Sequence, residues 1–90
     1  MKNFRTFTLA SELYHQVKKS KAKGVLRDQL YRASLSVCLN LAEGNDRRTQ
    51  KDRMEFFNIA LTSLREVQDI ISIESLEALE KKADILGAHL

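Results

Sequence analysis

Residues 26–44, Leu26-Arg-Asp-Gln-Leu-Tyr-Arg-Ala-Ser-Leu-Ser-Val-Cys-Leu-Asn-Leu-Ala-Glu-Gly44, constrain this chain more than any other stretch. Leu26, Leu30, Ala33, Val37 and Leu41 recur at three- and four-residue steps, so they share one side of a helix. Tyr31, Leu35, Cys38 and Ala42 form a second stripe about a third of a turn away. Arg27 is the one charge inside this arc, and Asp28, Gln29, Arg32, Ser36, Asn40 and Glu43 gather on the remaining surface. An apolar arc approaching half the circumference is more than a single neighbouring helix covers. The segment is therefore the central helix of a bundle, with surface to spare for contact between subunits.

Three further helical patterns flank it. Over 5–19, Phe7, Leu9, Ala10, Leu13, Tyr14 and Val17 fall on one side. That helix ends in Lys18, Lys19, Lys21 and Lys23 and then Gly24, where cations suit the negative end of the helix dipole and glycine suits the exit. The central helix, about 26–43, stops at Gly44, which the pattern places at a left-handed cap. The short polar link that follows makes the next helix an antiparallel neighbour. Thr49 and Asp52 resemble a capping box that starts a helix over about 50–72. Its apolar arc holds Phe57, Leu61, Leu64 and Ile71, widened by Phe56, Ala60, Val67 and Ile70 and edged by Met54 and Ile59. Leu76, Leu79, Ala83, Leu86 and Leu90 mark a narrow stripe over 75–90. Only Ser72, Glu74 and Ser75 offer caps at the break, so this last stripe is a fourth helix or a bent continuation of the third.

Charge separates the chain into two halves. Residues 1–53 hold 12 Lys/Arg against 5 Asp/Glu, a net +7, whereas residues 54–90 hold 3 against 7, a net −4. A basic half calls for an anionic partner, nucleic acid first, or for the acidic half of a neighbouring copy. The helix-end role is sufficient to account for Lys18, Lys19, Lys21 and Lys23, and contact with RNA phosphates is the lesser alternative. Arg47 and Arg48, exposed in a tight loop, either grip phosphates bidentately or keep the loop soluble. Ninety residues without proline or internal repeat make one domain, 1–90. A helical domain of this size gains stability by self-association. Its apolar runs are only a few residues long, which excludes a membrane span. The absence of a secretory pattern, and a single Cys that leaves no intramolecular disulfide, point to the cytoplasm.

The residues for catalysis do not assemble. His15 and His89 are far apart in sequence, and no His/Cys pair has metal-ligand spacing, so no metal and no cofactor are expected. Cys38 sits on an apolar stripe and reads as a small hydrophobe. Glu43 has no partner carboxylate or base, and no glycine-rich phosphate loop occurs. Asn40 and Glu43, near the helix end, are placed to hydrogen-bond a neighbouring helix or the loop. Arg32, four residues from Asp28, reads as one half of a surface ion pair.

The run Gln29-Leu-Tyr-Arg-Ala-Ser-Leu-Ser-Val37, then Asn40-Leu-Ala-Glu-Gly44, closely resembles the four-helix-bundle proteins encoded in bacterial 23S rRNA intervening sequences. The resemblance continues through Arg47 into Phe56-Phe-Asn-Ile-Ala60 and Ser63-Leu-Arg-Glu66 and covers about residues 4–90. It implies an antiparallel four-helix bundle assembling into a ring-shaped homopentamer. The family includes the accessory variability determinant of diversity-generating retroelements, which works with a reverse transcriptase and binds nucleic acid through a basic surface. This chain departs from many members in two ways. It connects its first two helices through Lys21-Ala-Lys-Gly24, without proline, and it has Cys38 and Leu61 where proline and glycine are common. Without that proline the second helix runs straighter.

Residues and resemblance together lead to an all-α, antiparallel up-down four-helix bundle that assembles as a homo-oligomer, with a pentamer implied by the family. Tyr31, Leu35, Cys38, Phe56, Ala60 and Val67 are expected in the core or between subunits. The expected role is that of a non-catalytic accessory protein binding RNA or DNA through Lys18, Lys19, Lys21, Lys23, Arg47 and Arg48, beside an enzyme such as a reverse transcriptase. The competing role is a protein-interaction scaffold without a nucleic-acid function.

Overall fold

The computed structural model describes residues 4–74 and 76–90, residue 4 by its backbone alone. Four helices follow one another: α1 (Phe4–Lys18), α2 (Gly24–Asp46), α3 (Gln50–Ile73) and α4 (Glu77–His89), with no strand among the described residues. At 1.5 Å per residue, α2 and α3 are each roughly 35 Å long. The molecule's longest dimension is 39 Å, so the two helices must lie side by side. Residues 47–49 alone connect them, and the chain therefore turns straight back.

Cross-helix pairs set the register. Ser36 meets Ser63, and eight residues further along α2 Gly44 lies under Phe57, six residues earlier in α3. Gln68 on α3 reaches Asp84 on α4, and Gly87 sits beside Leu64. Lys82 on α4 faces Glu12 on α1 at 3.9 Å. Along the α2–α3 and α3–α4 pairs, numbers rise on one helix as they fall on the other, the mark of antiparallel packing. Each helix packs on two others, α4 closing back onto α1, and the most extensive contact is between α2 and α3. Leu13, Leu30, Leu64 and Leu86, one from each helix, are fully buried at the centre. Truncating a leucine in such a site costs about 2–5 kcal/mol, so each helix is tied to the others by a contact it cannot cheaply lose.

The helix ends follow from local chemistry. Gly24 adopts φ +66°, a left-handed conformation that lets the chain leave the lysine-rich turn and enter α2. The Thr49 hydroxyl accepts the Asp52 backbone N–H at 3.1 Å, the first half of the capping box. α3 and α4 are two separate helices: the Glu74 N–H donates to the Ile70 carbonyl and the Leu76 N–H to the Ile71 carbonyl, both at 2.9 Å, closing the turn. Ser75, one of the expected caps, lies outside the described residues.

Two expectations need correction. Gly44 does not end the second helix, which runs on to Asp46, and it has no positive φ. Its role is steric: a Cβ there would stand 2.5 Å from Phe57 Cε1 and 3.2 Å from Phe56 Cβ. Phe7 is not in the core. The α1 stripe that faces inward is Thr6, Ala10, Leu13 and Val17, which leaves Phe7 37% exposed. Leu35 is 38% exposed, because α1 and α3 flank α2 on its inner sides and leave the outer edge of the second stripe open.

Replacing Gly44 with Ala adds the better helix former yet forces a methyl into the Phe57 ring. Overpacking of this kind costs about 1–3 kcal/mol against a propensity gain of about 1 kcal/mol or less. Gly44→Ala is therefore expected to lower the urea midpoint without changing the slope of the transition, measured by circular dichroism.

Candidate nucleic-acid interface

The six cations singled out in the sequence do not form one surface on a single chain. Lys18 closes α1, Lys19, Lys21 and Lys23 lie in the turn before α2, and all four are exposed. Arg47 and Arg48 lie in the α2–α3 link, at the opposite end of the 23-residue α2. The two groups are separated by roughly 35 Å, the length of that helix.

They also differ in electrostatic character. At the arginine end, residues 43–55 hold four cations and four carboxylates, with no net charge. Arg47 is committed there: its guanidinium donates to Glu43 Oε2 at 2.7 Å and stands 4.6 Å from the centre of the Phe56 ring. Its backbone carbonyl accepts from Arg53 Nε at 2.9 Å, which ties the link to α3. Both partners of the Arg47–Glu43 pair are largely solvated, so the pair adds little stability. Its effect is to hold Arg47 against its own helix. Arg48 remains exposed beside it.

At the lysine end, residues 18–27 hold five cations and no carboxylate. Lys19, Ser20 and Lys21 line a depression of about 350 Å³ against the start of α4, which Glu77 also lines. On the α1–α2 side a different arrangement occurs. Tyr14 and Tyr31 meet edge to face with ring centres 5.6 Å apart. Lys18 Nζ lies 5.5 Å from the centre of the Tyr14 ring, and the Arg27 guanidinium 5.1 Å from that of Tyr31. Both tyrosines are half-buried, while Lys18 and Arg27 are exposed. Arg27 was noted in the sequence only as a charge within an apolar arc. Its four-residue spacing to Tyr31, like that of Tyr14 to Lys18, was a legible signal for a stacked pair. That the two rings would meet across the turn was not legible.

The residues expected in the core or between subunits divide as well. Cys38, Ala60 and Val67 are buried within the chain, Tyr31 and Phe56 are half-buried, and Leu35 is exposed. Near Leu35, α2 and α3 expose two further apolar side chains: Leu39 is 55% exposed and Ile59 48%. Between those helices runs a polar seam in which Ser36 Oγ and Ser63 Oγ share a hydrogen bond at 2.8 Å, while Asn40 Nδ2 donates to the Ser36 carbonyl at 2.8 Å and to its hydroxyl at 3.1 Å. Leu39 lies one turn from Ser36 and Ile59 one turn from Ser63, in the same direction along the antiparallel pair. They stand level with each other on the outside of the seam.

Among the described residues, no group of three or more His, Cys, Asp or Glu is placed to hold a metal ion. No described helix is long and apolar enough to cross a membrane. Cys38 is buried, and loss of solvent pushes its thiol from 9.0 up to about 11, partly offset by a backbone hydrogen bond. At neutral pH the thiolate needed for nucleophilic chemistry is thus all but absent. In the folded protein at pH 8, Cys38 should react with a thiol reagent at least about tenfold more slowly than in denaturant, the native rate rising as pH approaches 11. Equal rates in the two states would contradict the burial.

The family model described as 23S rRNA-intervening sequence protein matches residues 4–85. No curated protein and no solved structure matches the chain.

Proposed function

The chain belongs to the 23S rRNA intervening sequence protein family, and from that premise we propose that it is a non-catalytic, oligomeric accessory protein that binds RNA through its lysine-rich end. One observation carries the assignment of the end: five cations without a carboxylate in residues 18–27, all five exposed at the α1–α2 turn and the helix ends beside it. Such a segment gains affinity for any polyanion by releasing condensed counterions. The arginine end has no such surplus, and its best-placed guanidinium is already engaged by Glu43 and Phe56. It is the secondary contact.

Assembly supports the same reading. Leu35, Leu39 and Ile59 expose an apolar strip on the outer surface of α2 and α3, with the Ser36–Ser63 seam to set alignment. A second copy of the chain covers this strip, and the family's ring of five is the expected closure. Repeating the lysine end around a ring multiplies weak phosphate contacts by avidity. The protein works in the cytoplasm, beside an enzyme that handles nucleic acid, such as a reverse transcriptase.

Replacing Leu39 and Ile59 with Glu leaves the core untouched and should reduce the mass in sedimentation to that of one chain, with helical content preserved. An unchanged mass would place the subunit contact elsewhere. Binding of a labelled structured RNA across a salt series should show a steep slope, about −0.7 to −0.9 per phosphate contacted. Reversing Lys18, Lys19, Lys21 and Lys23 to Glu should weaken binding at least about tenfold at 0.1 M salt and flatten that slope. Reversing Arg47 and Arg48 should weaken it less, with the assembly mass unchanged. A salt-independent interaction with a single protein, and no RNA binding at low salt, would favour the scaffold role instead.

A further inference from the structure

The lysine end carries more than charge. Phosphate binding alone needs cations on flexible stems, and it gives no reason to bring two tyrosine rings together beside them. Here Tyr14 and Tyr31 meet at 5.6 Å, each with a cation, Lys18 or Arg27, standing 5–6 Å from its ring. The rings are half-buried and the cations exposed, so the group opens outward from the α1–α2 groove. Lys19, Lys21 and Lys23 follow Lys18 in the chain, exposed in the turn before α2. A planar guanidinium held at an aromatic ring, with further positive charges leading away from it, is a combination suited to a chain of phosphates bearing unstacked bases.

We propose that Arg27 and Tyr31, supported by Tyr14 and Lys18, form a stacking platform for an unpaired RNA base, and that the neighbouring lysines hold the flanking phosphates. This inference rests on the RNA-binding role proposed above and narrows it to single-stranded segments. In duplex RNA the bases are stacked on one another and their faces are closed to side chains, so a platform of this kind distinguishes loops, bulges and ends from paired regions. It reads no sequence, because every base has a π-face.

Tyr14 and Tyr31 are the only tyrosines in the chain, which has no tryptophan. Intrinsic tyrosine fluorescence of the intact protein therefore reports on this group alone. The experiment titrates the full chain with an oligouridylate of twelve nucleotides and with a blunt RNA duplex of the same length. It follows tyrosine emission and, in parallel, the anisotropy of labelled RNA. The single strand should quench tyrosine emission as it binds, and the duplex should leave the emission unchanged. Tyr31→Leu and Arg27→Ala should each weaken binding of the single strand about tenfold. Duplex affinity should move less than twofold in Tyr31→Leu, which removes no charge, and Tyr31→Phe should retain the wild-type preference. Circular dichroism and assembly mass show that each variant is folded. Equal affinity for both RNAs without quenching, unaffected by Tyr31→Leu, would overturn the stacking platform while leaving an RNA-binding lysine end. Failure of both RNAs to bind at low salt would overturn the RNA-binding role itself, and the platform with it.

Discussion

The close approach of α2 and α3 is the contact on which the remaining geometry depends. It is possible because the facing positions are small: Gly44 leaves room for the Phe57 ring, Ala60 is fully buried, and Ser36 and Ser63 approach within hydrogen-bonding distance. Two long helices held this tightly by a three-residue link define the axis of the bundle. α1 and α4 then have one way to cover the remaining apolar surface, packing on α2 and α3 and on each other. Leu13, Leu30, Leu64 and Leu86 are buried as a consequence. The seam carries hydrogen bonds as well as van der Waals contact, and Asn40 satisfies itself within its own helix through Ser36. An apolar seam of equal area would slide more freely than one in which hydroxyls must meet.

Antiparallel packing also determines where charge appears. The sequence excess of cations in residues 1–53 spreads over two opposite ends of the bundle. At one end the carboxylates of the helix caps and the α2 exit neutralise it, Glu43 taking Arg47 directly. At the other end residues 18–27 hold no carboxylate, and Glu77 of α4 lines the depression that Lys19 and Lys21 also line. Electrostatic attraction for a polyanion falls off within a Debye length of about 8–10 Å, so two clusters roughly 35 Å apart act separately.

Much of the architecture could be read without coordinates. Helical periodicity identified Leu30, Ala33, Val37 and Leu41, and likewise Leu79, Ala83 and Leu86, as inward-facing, and all are buried. The Thr49–Asp52 cap was equally plain, since it needs only a hydroxyl and a backbone N–H three residues on. Errors arose where a local rule met a tertiary one. Glycine near a helix end ordinarily signals a left-handed exit, but Gly44 is present because a neighbouring helix leaves no space for a Cβ. Thr6 displaced Phe7 from the core because the rotation of α1 is set by Ala10, Leu13 and Val17, and a lone bulky residue at its edge does not outweigh them.

For the candidate site the balance is different. Sequence alone determined which residues carry charge, that residues 18–27 hold no carboxylate, and that Tyr14 and Tyr31 each have a cation four residues away. These are properties of composition and helical pitch, and they survive any packing of the helices. Only the tertiary structure decided that Lys19 and Lys21 share a depression with Glu77 at the start of α4, and that the two tyrosines meet. Those outcomes depend on how far each helix runs and how it is rotated about its axis. Rotation is set by small differences in side-chain volume along the α2–α3 seam, and such differences acquire meaning only when the partner helix is in place.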